Sequence, residues 1–226
     1  MKIVLFGAPG VGKGTFAEIL SKKEKLKHIN IGNILREEIK KESCVGREVK
    51  KIVTSGNLVN DDLIINIVKD EINKTIIKGY NNFKGFILDG FPRNIYQSSE
   101  LVKITDIDLF VNIHLPKHIL IKKLSGRRIC AQCNNNFNVA DIRDNNYDMP
   151  PILPSTECKI CNGNANLLKR SDDNNEIIAH RLDSYQSTNL PIINFFKNLN
   201  CNVLHFDIKR GIKDFDNFYN TIVKHF

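Results

Sequence analysis

Residues 2–15 read KIVLFGAPGVGKGT, and this stretch decides the fold of the 226-residue chain. The apolar run Lys2 to Phe6 predicts a buried strand, and Lys13 to Lys23 predicts a helix. A glycine-rich loop joins the two. Glycines let backbone amides turn inward, a helix N-terminus adds a favourable dipole, and Lys13 adds a mobile positive charge. We therefore expect this loop to bind phosphate groups.

The rest of the chain continues the alternation of apolar runs with helical segments, which is typical of parallel strands joined by crossover helices. Further strands are predicted at residues 27–30, 85–88, 109–114 and 202–206. Helices are predicted at residues 33–41, 47–54, 61–74, 94–101, 117–125, 174–198 and 213–225. Asn60 or Asp61 is expected to cap the helix at 61–74, because a side-chain oxygen there can accept an amide of the first turn. One α/β domain spanning residues 1–226 is expected, with a five-stranded parallel sheet and flanking helices.

The phosphate loop departs from the general form of such loops. Gly14 occupies the position where a Ser or Thr hydroxyl usually meets Mg²⁺, and Thr15 comes one residue later. This arrangement disfavours a GTPase or a motor ATPase.

Composition and charge narrow the function only partly. The net charge is +8, from 33 Lys and Arg against 25 Asp and Glu, which suits anionic partners without choosing among them. No run of eighteen apolar residues exists, so no membrane partner is expected. The N-terminus begins directly as a strand, and we expect an intracellular monomer, in the cytoplasm with the mitochondrion as alternative. Six of the nine arginines stand at positions that could meet phosphate: Arg36, Arg93, Arg127, Arg128, Arg170 and Arg181.

Residues 127–169 interrupt the pattern, because no sustained period is present and two C-x-x-C pairs bracket the stretch. Cys130, Cys133, Cys158 and Cys161 offer four thiolates, a set suited to tetrahedral Zn²⁺. A closed four-cysteine site has no open position, so the zinc would be structural. Disulfides or free thiols are the alternatives, and the 24 residues between the pairs exceed the usual finger spacing.

Polar motifs also follow two of the predicted strands. Residues 32–36 (GNILR) start a helix, residues 56–61 (GNLVND) link two helices, and residues 89–93 (DGFPR) follow a buried strand. Ligands of open α/β sheets collect at the carboxyl ends of strands, which favours a site at the last motif. Taken singly, the first two motifs also fit a surface cation and an ordinary interhelical loop. For the third motif, the alternative is a surface ion pair between Asp89 and Arg93.

Along residues 2–185, the motifs resemble those of the adenylate kinase family and follow one another in the family's order. They include its G-x-P-G-x-G-K-G-T loop and its D-G-F-P-R, G-R-R and R-x-D-D…R segments. The resemblance implies transfer of a phosphoryl group from a nucleoside triphosphate to AMP with Mg²⁺. It also implies a helical monophosphate-binding insertion at residues 31–60 and a small zinc-bearing lid at residues 127–169.

The resemblance assigns roles to individual residues. It implies that the catalytic residues are Lys13, Asp89, Arg127, Arg170 and Arg181. In this assignment Asp89 orders Mg²⁺-bound water, and Asp172 and Asp173 orient the transfer site. Donor binding falls to Gly10, Val11, Gly12, Lys13, Gly14, Thr15 and Arg127. AMP binding falls to Ile31, Arg36, Asn57, Leu58, Val59, Gly90, Arg93, Gln97, Arg170 and Arg181.

Four residues depart from the family's usual pattern: Phe16 replaces Gln, Ile31 a hydroxyl residue, Asn33 a carboxylate, and Lys123 an Arg that stacks on the donor base. Base selectivity therefore stays open. ATP is the first expectation for the donor, with GTP, or another monophosphate as acceptor, as alternatives. Outside the enzymes, a zinc-containing nucleic-acid-binding protein with a vestigial loop is a further alternative, disfavoured because residues 134–157 contain no Lys and no basic-aromatic pattern.

Overall fold

A computed structural model describes residues 1–54, 59–76, 82–144, 146–170 and 172–226 of the chain. The strands are β1 (Lys2–Gly7), β2 (Lys27–Asn30), β3 (Phe86–Asp89), β4 (Leu109–His114), β5 (Arg127–Cys130), β6 (Asn136–Asn138), β7 (Ile142–Arg143), β8 (Asp148–Met149), β9 (Leu167–Leu168) and β10 (Asn202–Asp207). The helices are α1 (Lys13–Glu24), α2 (Ile31–Lys40), α3 (Cys44–Thr54), α4 (Asp61–Ile76), α5 (Ile95–Ile104), α6 (Lys117–Gly126), α7 (Asn175–Asn198) and α8 (Phe215–Ile222), and 3₁₀ turns flank α8 at Gly211–Asp214 and Val223–His225.

The central sheet has five parallel strands in the order β10-β4-β1-β3-β2, which confirms the predicted class. Side chains alternate between its two faces. On β1, Ile3 and Leu5 enter one apolar cluster with α1, α6 and α8, whereas Val4 and Phe6 enter a second cluster with α2, α4, α5 and α7. Because both faces are covered, the ligand must bind at the ends of the strands.

Helix boundaries differ from the prediction where caps or tight turns intervene. α2 begins at Ile31, two residues earlier than expected, because the Asn30 side chain accepts a hydrogen bond from the Asn33 amide at 2.8 Å. Asn60 caps α4 as expected, since its Oδ1 accepts from the amides of Asp62 and Leu63. The helix predicted at 213–225 is α8 flanked by the two 3₁₀ turns.

The stretch without a sustained period folds as five short strands. Antiparallel β6, β5 and β9 form one small sheet, and β7 and β8 form a hairpin. The hairpin is docked on the main body, because Ile142 and Met149 are buried in the same apolar cluster as α1 and α8. Strands of two to four residues are too short to show a period, which is why the sequence predicted only an irregular insertion.

Phe16, one of the departures from the family pattern, lies in an aromatic cluster. Its ring is 4.7 Å from that of Phe218, 5.8 Å from Phe215 and 6.4 Å from Phe206. The side chain points away from the ligand cavity and joins α1 to β10 and α8. Within the described residues, no helix is both long and apolar enough to cross a membrane.

Candidate active site

A cavity of about 310 Å³ opens at the carboxyl ends of β1, β2 and β3. Its wall combines the phosphate loop, the start of α2, the segment after β3, and residues of β5, β6 and α7. Seven cations line it against two carboxylates, Asp89 and Asp172, and the cations are Lys13, Arg36, Arg93, Lys123, Arg127, Arg170 and Arg181. Such an excess of positive charge in a concave site attracts and holds polyanions.

The phosphate loop presents unpaired amides to this cavity. α1 begins at Lys13 without a side-chain cap, so the amides of its first turn are available to an anion. Gly10 and Gly12 have φ values of +84° and +115°, which only glycine adopts readily. Gly10 also needs the space, because a Cβ there would lie 2.6 Å from Leu124 Cγ of α6.

Lys13 is held by the loop itself. Its Nζ donates hydrogen bonds to the carbonyls of Gly7 at 2.7 Å and Ala8 at 3.0 Å. Burial lowers the pKa of this ammonium to about 8; Asp89 opposes the shift, while Arg93, Arg181 and Arg127 add to it. The charge of Lys13 is therefore only partly compensated by protein groups, and an anionic ligand would complete the compensation.

Two aspartates organise the arginines. Asp172 accepts hydrogen bonds from Arg170 at 3.1 and 3.2 Å and from Arg181 at 2.7 Å, and Asp173 pairs with both Nε and NH2 of Arg127. Burial alone would raise the pKa of Asp172, but Arg170, Arg181 and Arg127 lower it to about 2. The guanidinium groups are thus fixed in place before a ligand arrives, as stabilisation of a developing charge requires.

On the acceptor side, two arginines are held by defined partners. Asn33 Oδ1 accepts from Arg36 Nη2 at 2.5 Å, and Arg93 Nε donates to the Gly90 carbonyl at 2.8 Å. Because Asn33 is neutral, it orients Arg36 without neutralising its charge. Burial and the nearby Arg170 lower the pKa of Arg36, as expected for a crowded cation.

Gln97 has a fixed orientation. Its Oε1 accepts from the Arg93 amide at 2.8 Å and its Nε2 donates to Asp61 Oδ1 at 2.7 Å. The side chain is buried yet lines the cavity, so one hydrogen of Nε2 and one lone pair of Oε1 are left for a ligand.

Most of the nucleotide-site residues predicted from the sequence lie at this cavity. They are Gly10, Gly12, Lys13, Gly14, Thr15, Ile31, Arg36, Val59, Asp89, Gly90, Arg93, Gln97, Arg127, Arg170 and Arg181. Val11 is not among them, since its side chain is buried in the core and its amide donates to the Ala8 carbonyl. Arg128 points away, its NH1 donating to the carbonyls of Ser125 and Arg127. Asn57 and Leu58 lie outside the described residues.

Sequence reasoning missed several lining residues. Four of them belong to the short lid strands or lie next to them, where no hydrophobic period indicated a site: Asn136, Phe137, Asn138 and Ile152. Ser184, Tyr185 and Thr188 were detectable, because they follow Arg181 on α7 at the i+3, i+4 and i+7 spacing of one helix face. Asn30 also lines the cavity, beside Asp89.

Three of the four lid cysteines come together. The sulfurs of Cys130, Cys133 and Cys161 all lie within 4.8 Å of one another, and Cys158 is not part of this group. Backbone amides within each knuckle lower the pKa of its first cysteine: the Cys133 amide acts on Cys130, and the Cys161 and Ile160 amides bring Cys158 to about 7. Burial instead raises the pKa of Cys133 and Cys161. The spacing of the three sulfurs fits a tetrahedral metal ion.

A parallel sheet that ends in a phosphate loop, with an arginine array above it and a helical insertion opposite, defines a P-loop nucleotide phosphotransferase. The family model described as adenylate kinase matches residues 5–201. A GTP:AMP phosphotransferase of Plasmodium falciparum is 66% identical over 225 residues, covering 100% of this chain and 97% of that protein. An adenylate kinase of Acetivibrio thermocellus is 38% identical over 202 residues, covering 87% of this chain and 86% of the other.

The chain belongs to the adenylate kinase family. It is an enzyme that transfers a phosphoryl group from a nucleoside triphosphate to AMP, and the resemblance seen in its motifs is confirmed.

Proposed function

We propose that this enzyme is a GTP:AMP phosphotransferase, which differs from the first expectation of ATP as donor. The observation that carries the proposal is the 66% identity, over the whole chain, to a relative of that name. Relatives named adenylate kinase share 36–39% identity with this chain. ATP as donor is the second candidate, supported by those names.

Lys123 supports guanine as the donor base. It lies one residue before Leu124, which contacts the phosphate loop, and it lines the cavity, with its Nζ 3.9 Å from Met149 Sδ. Among the described residues, no carboxylate forms an ion pair with it, and burial lowers its pKa. An ammonium can donate to the O6 carbonyl of guanine, whereas adenine carries an amino donor at the equivalent position.

The proposed division of labour follows the geometry of the cavity. Lys13 and the amides of the loop hold the β- and γ-phosphates of the donor. Arg36 and Arg93 hold the phosphate of AMP on the opposite side. Arg127, Arg170 and Arg181 neutralise the transferring group between them, since phosphoryl transfer depends mainly on positioning and charge.

Magnesium fits beside Asp89. This carboxylate is buried at the end of β3, lines the cavity, and lies against the start of α1, where a Cβ on Gly14 would be 3.4 Å from Asp89 Oδ2. Mg²⁺ is held typically by one or two carboxylates, water and substrate phosphates. When bound, the ion would neutralise charge on the donor phosphates, and Asp89 would orient one of its water ligands.

Zinc is proposed for the four lid cysteines. Zn–S bonds of about 2.3 Å in a tetrahedron place sulfurs about 3.8 Å apart, and Cys133 Sγ and Cys161 Sγ are 4.0 Å apart. The ion would hold the lid strands together and take no part in transfer.

The test is a coupled assay of diphosphate formation with Mg²⁺, crossing GTP and ATP as donors with AMP, GMP, CMP and UMP as acceptors. We expect turnover with GTP and AMP to exceed that of every other pair at least tenfold. Faster turnover with ATP would refute the donor assignment, and turnover with another acceptor would refute AMP specificity.

A further inference from the structure

Within the described residues, one of the two carboxylate oxygens of Asp89 accepts hydrogen bonds. Its Oδ2 lies 2.5 Å from Asn30 Nδ2 and 3.3 Å from His28 Nε2, both on β2. Strand register explains the contact: Asn30 pairs with Asp89 across the parallel β2–β3 ladder, so the two side chains share one face. In the described part of the chain, the other oxygen, Oδ1, accepts no hydrogen bond. Asp89 itself lines the nucleotide cavity.

The same Asn30 amide also begins the acceptor helix. Its Oδ1 accepts the Asn33 amide at 2.8 Å as the N-cap of α2. This bond decides which end of the amide is oxygen, and so the end that meets Asp89 is the NH₂ donor. A serine cap would retain the helix bond but is one bond shorter than Asn Nδ2 and would not reach Asp89.

α2 carries Arg36, which lies on the acceptor side of the cavity. One side chain therefore connects the helix of the acceptor side to the carboxylate beside the phosphate loop. Without the Asn30 bond, His28 would be the one remaining partner of Oδ2 among the described residues, at the longer distance. The carboxylate could then turn about its side-chain bonds.

We propose that Asn30 is a positioning residue: it holds Asp89 through Oδ2 so that Oδ1 faces the bound Mg²⁺ and nucleotide. The inference rests on the proposed role of Asp89 beside Mg²⁺. Asn30 itself touches no substrate in this role and acts through Asp89.

The test uses two variants that keep the helix cap. Asn30→Ser retains the cap and removes the donor to Asp89, and Asn30→Asp retains the cap and shape but places a second carboxylate against Asp89. Asn174→Ser is the matched control, because Asn174 caps α7 by the same bond, to the Ile177 amide, and is exposed.

Two readouts are required. First, kcat of the Mg²⁺-dependent reaction should fall about tenfold in Asn30→Ser, as expected for one lost hydrogen bond to a charged group, and further in Asn30→Asp. The KM for AMP should stay within about twofold in Asn30→Ser, because the cap is retained. Second, a crystal structure of Asn30→Ser without metal or nucleotide should show the Asp89 carboxylate rotated and the start of α2 unchanged.

Either a kcat within twofold of the parent enzyme or an unmoved Asp89 in Asn30→Ser would overturn the inference. An equal loss in Asn174→Ser would also overturn it, since capping alone would then explain the effect. If turnover of the parent enzyme itself did not depend on Mg²⁺, the proposed role of Asp89 would be wrong. If the parent enzyme depended on Mg²⁺ and Asn30→Ser had a normal kcat, the inference about Asn30 alone would be wrong.

Discussion

Lys13 shows how burial adjusts a single residue for anion binding. Its pKa is lowered to about 8 in the free protein, chiefly by burial. A polyphosphate placed beside it would favour the charged form and raise that pKa again. Binding is therefore linked to protonation of Lys13.

The affinity for GTP should fall as pH rises above about 8. Below that pH Lys13 is already charged in the free enzyme, whereas above it the ligand must bind together with a proton. Isothermal titration calorimetry between about pH 7 and pH 9, in buffers of different ionisation enthalpy, should reveal proton uptake at the alkaline end. A constant affinity with no proton uptake would contradict the lowered pKa.

Lys123 is expected to select the donor base. Lys123→Met should raise the KM for GTP about tenfold, by removing a charged donor to the base, and leave the KM for AMP unchanged. Lys122→Met is the control, because Lys122 precedes it on α6 and is exposed. Steady-state kinetics with each substrate varied separately would check this, and an equal change in both KM values would argue against a role in base recognition.

At the scale of elements, α1 depends on an aromatic contact with the C-terminal segment. Phe16 is fully buried against Phe206, Phe215 and Phe218. Since α1 also carries the phosphate loop at its start, this packing holds the loop's helix on the sheet.

Phe16→Ala should lower the free energy of unfolding by about 3–5 kcal/mol, through lost burial and the cavity left behind. Lys22→Ala, on the exposed side of α1, removes an exposed ion pair with Glu18. This change should alter the free energy of unfolding by less than about 1 kcal/mol. Urea denaturation followed by circular dichroism would measure both. Similar values for the two variants would contradict the aromatic cluster.

The two C-x-x-C knuckles of the lid form the second element that can be tested, through their metal content. Elemental analysis of freshly reduced enzyme that has not met a chelator should find about one zinc per chain. Cys158→Ser should lose most of this zinc, whereas Cys44→Ser, which changes an exposed cysteine outside the lid, should retain it. Absence of zinc from the parent enzyme would contradict the proposed metal site.

At the scale of the whole molecule, the lid is docked on the body by the β7–β8 hairpin. Ile142 and Met149 are buried in the core cluster, Asp148 pairs with Lys213, and the Asp148 amide donates to the Lys209 carbonyl. The hairpin thus joins the insertion to the segment that precedes α8.

Ile142→Asp should undock the lid, because it places an unpaired carboxylate in an apolar contact. Hydrogen exchange should then accelerate in residues 127–144 and 146–169 while the central strands keep their protection. Leu153→Asp is the control, since Leu153 is 58% exposed. Equal exchange in the two variants would show that the docked hairpin does not hold the lid.

The sequence alone determined the sheet, the phosphate loop and most of the cationic residues. These features are local: glycines at set positions, apolar runs of strand length, and arginines at characteristic spacings. The four cysteines were likewise visible as two pairs, although their ligand remains a proposal.

Tertiary structure decided the rest, because it depends on contacts between residues far apart in the chain. The parallel register of β2 and β3 brings Asn30 to Asp89. The packing of α8 against α1 explains why an aromatic side chain stands at position 16. The lid strands are too short to show a period, so their pairing and the burial of Ile142 and Met149 could not be read from the sequence. The Val11 and Arg128 side chains lie away from the cavity for the same reason: the surroundings of a side chain, which local sequence does not specify, determine where it points.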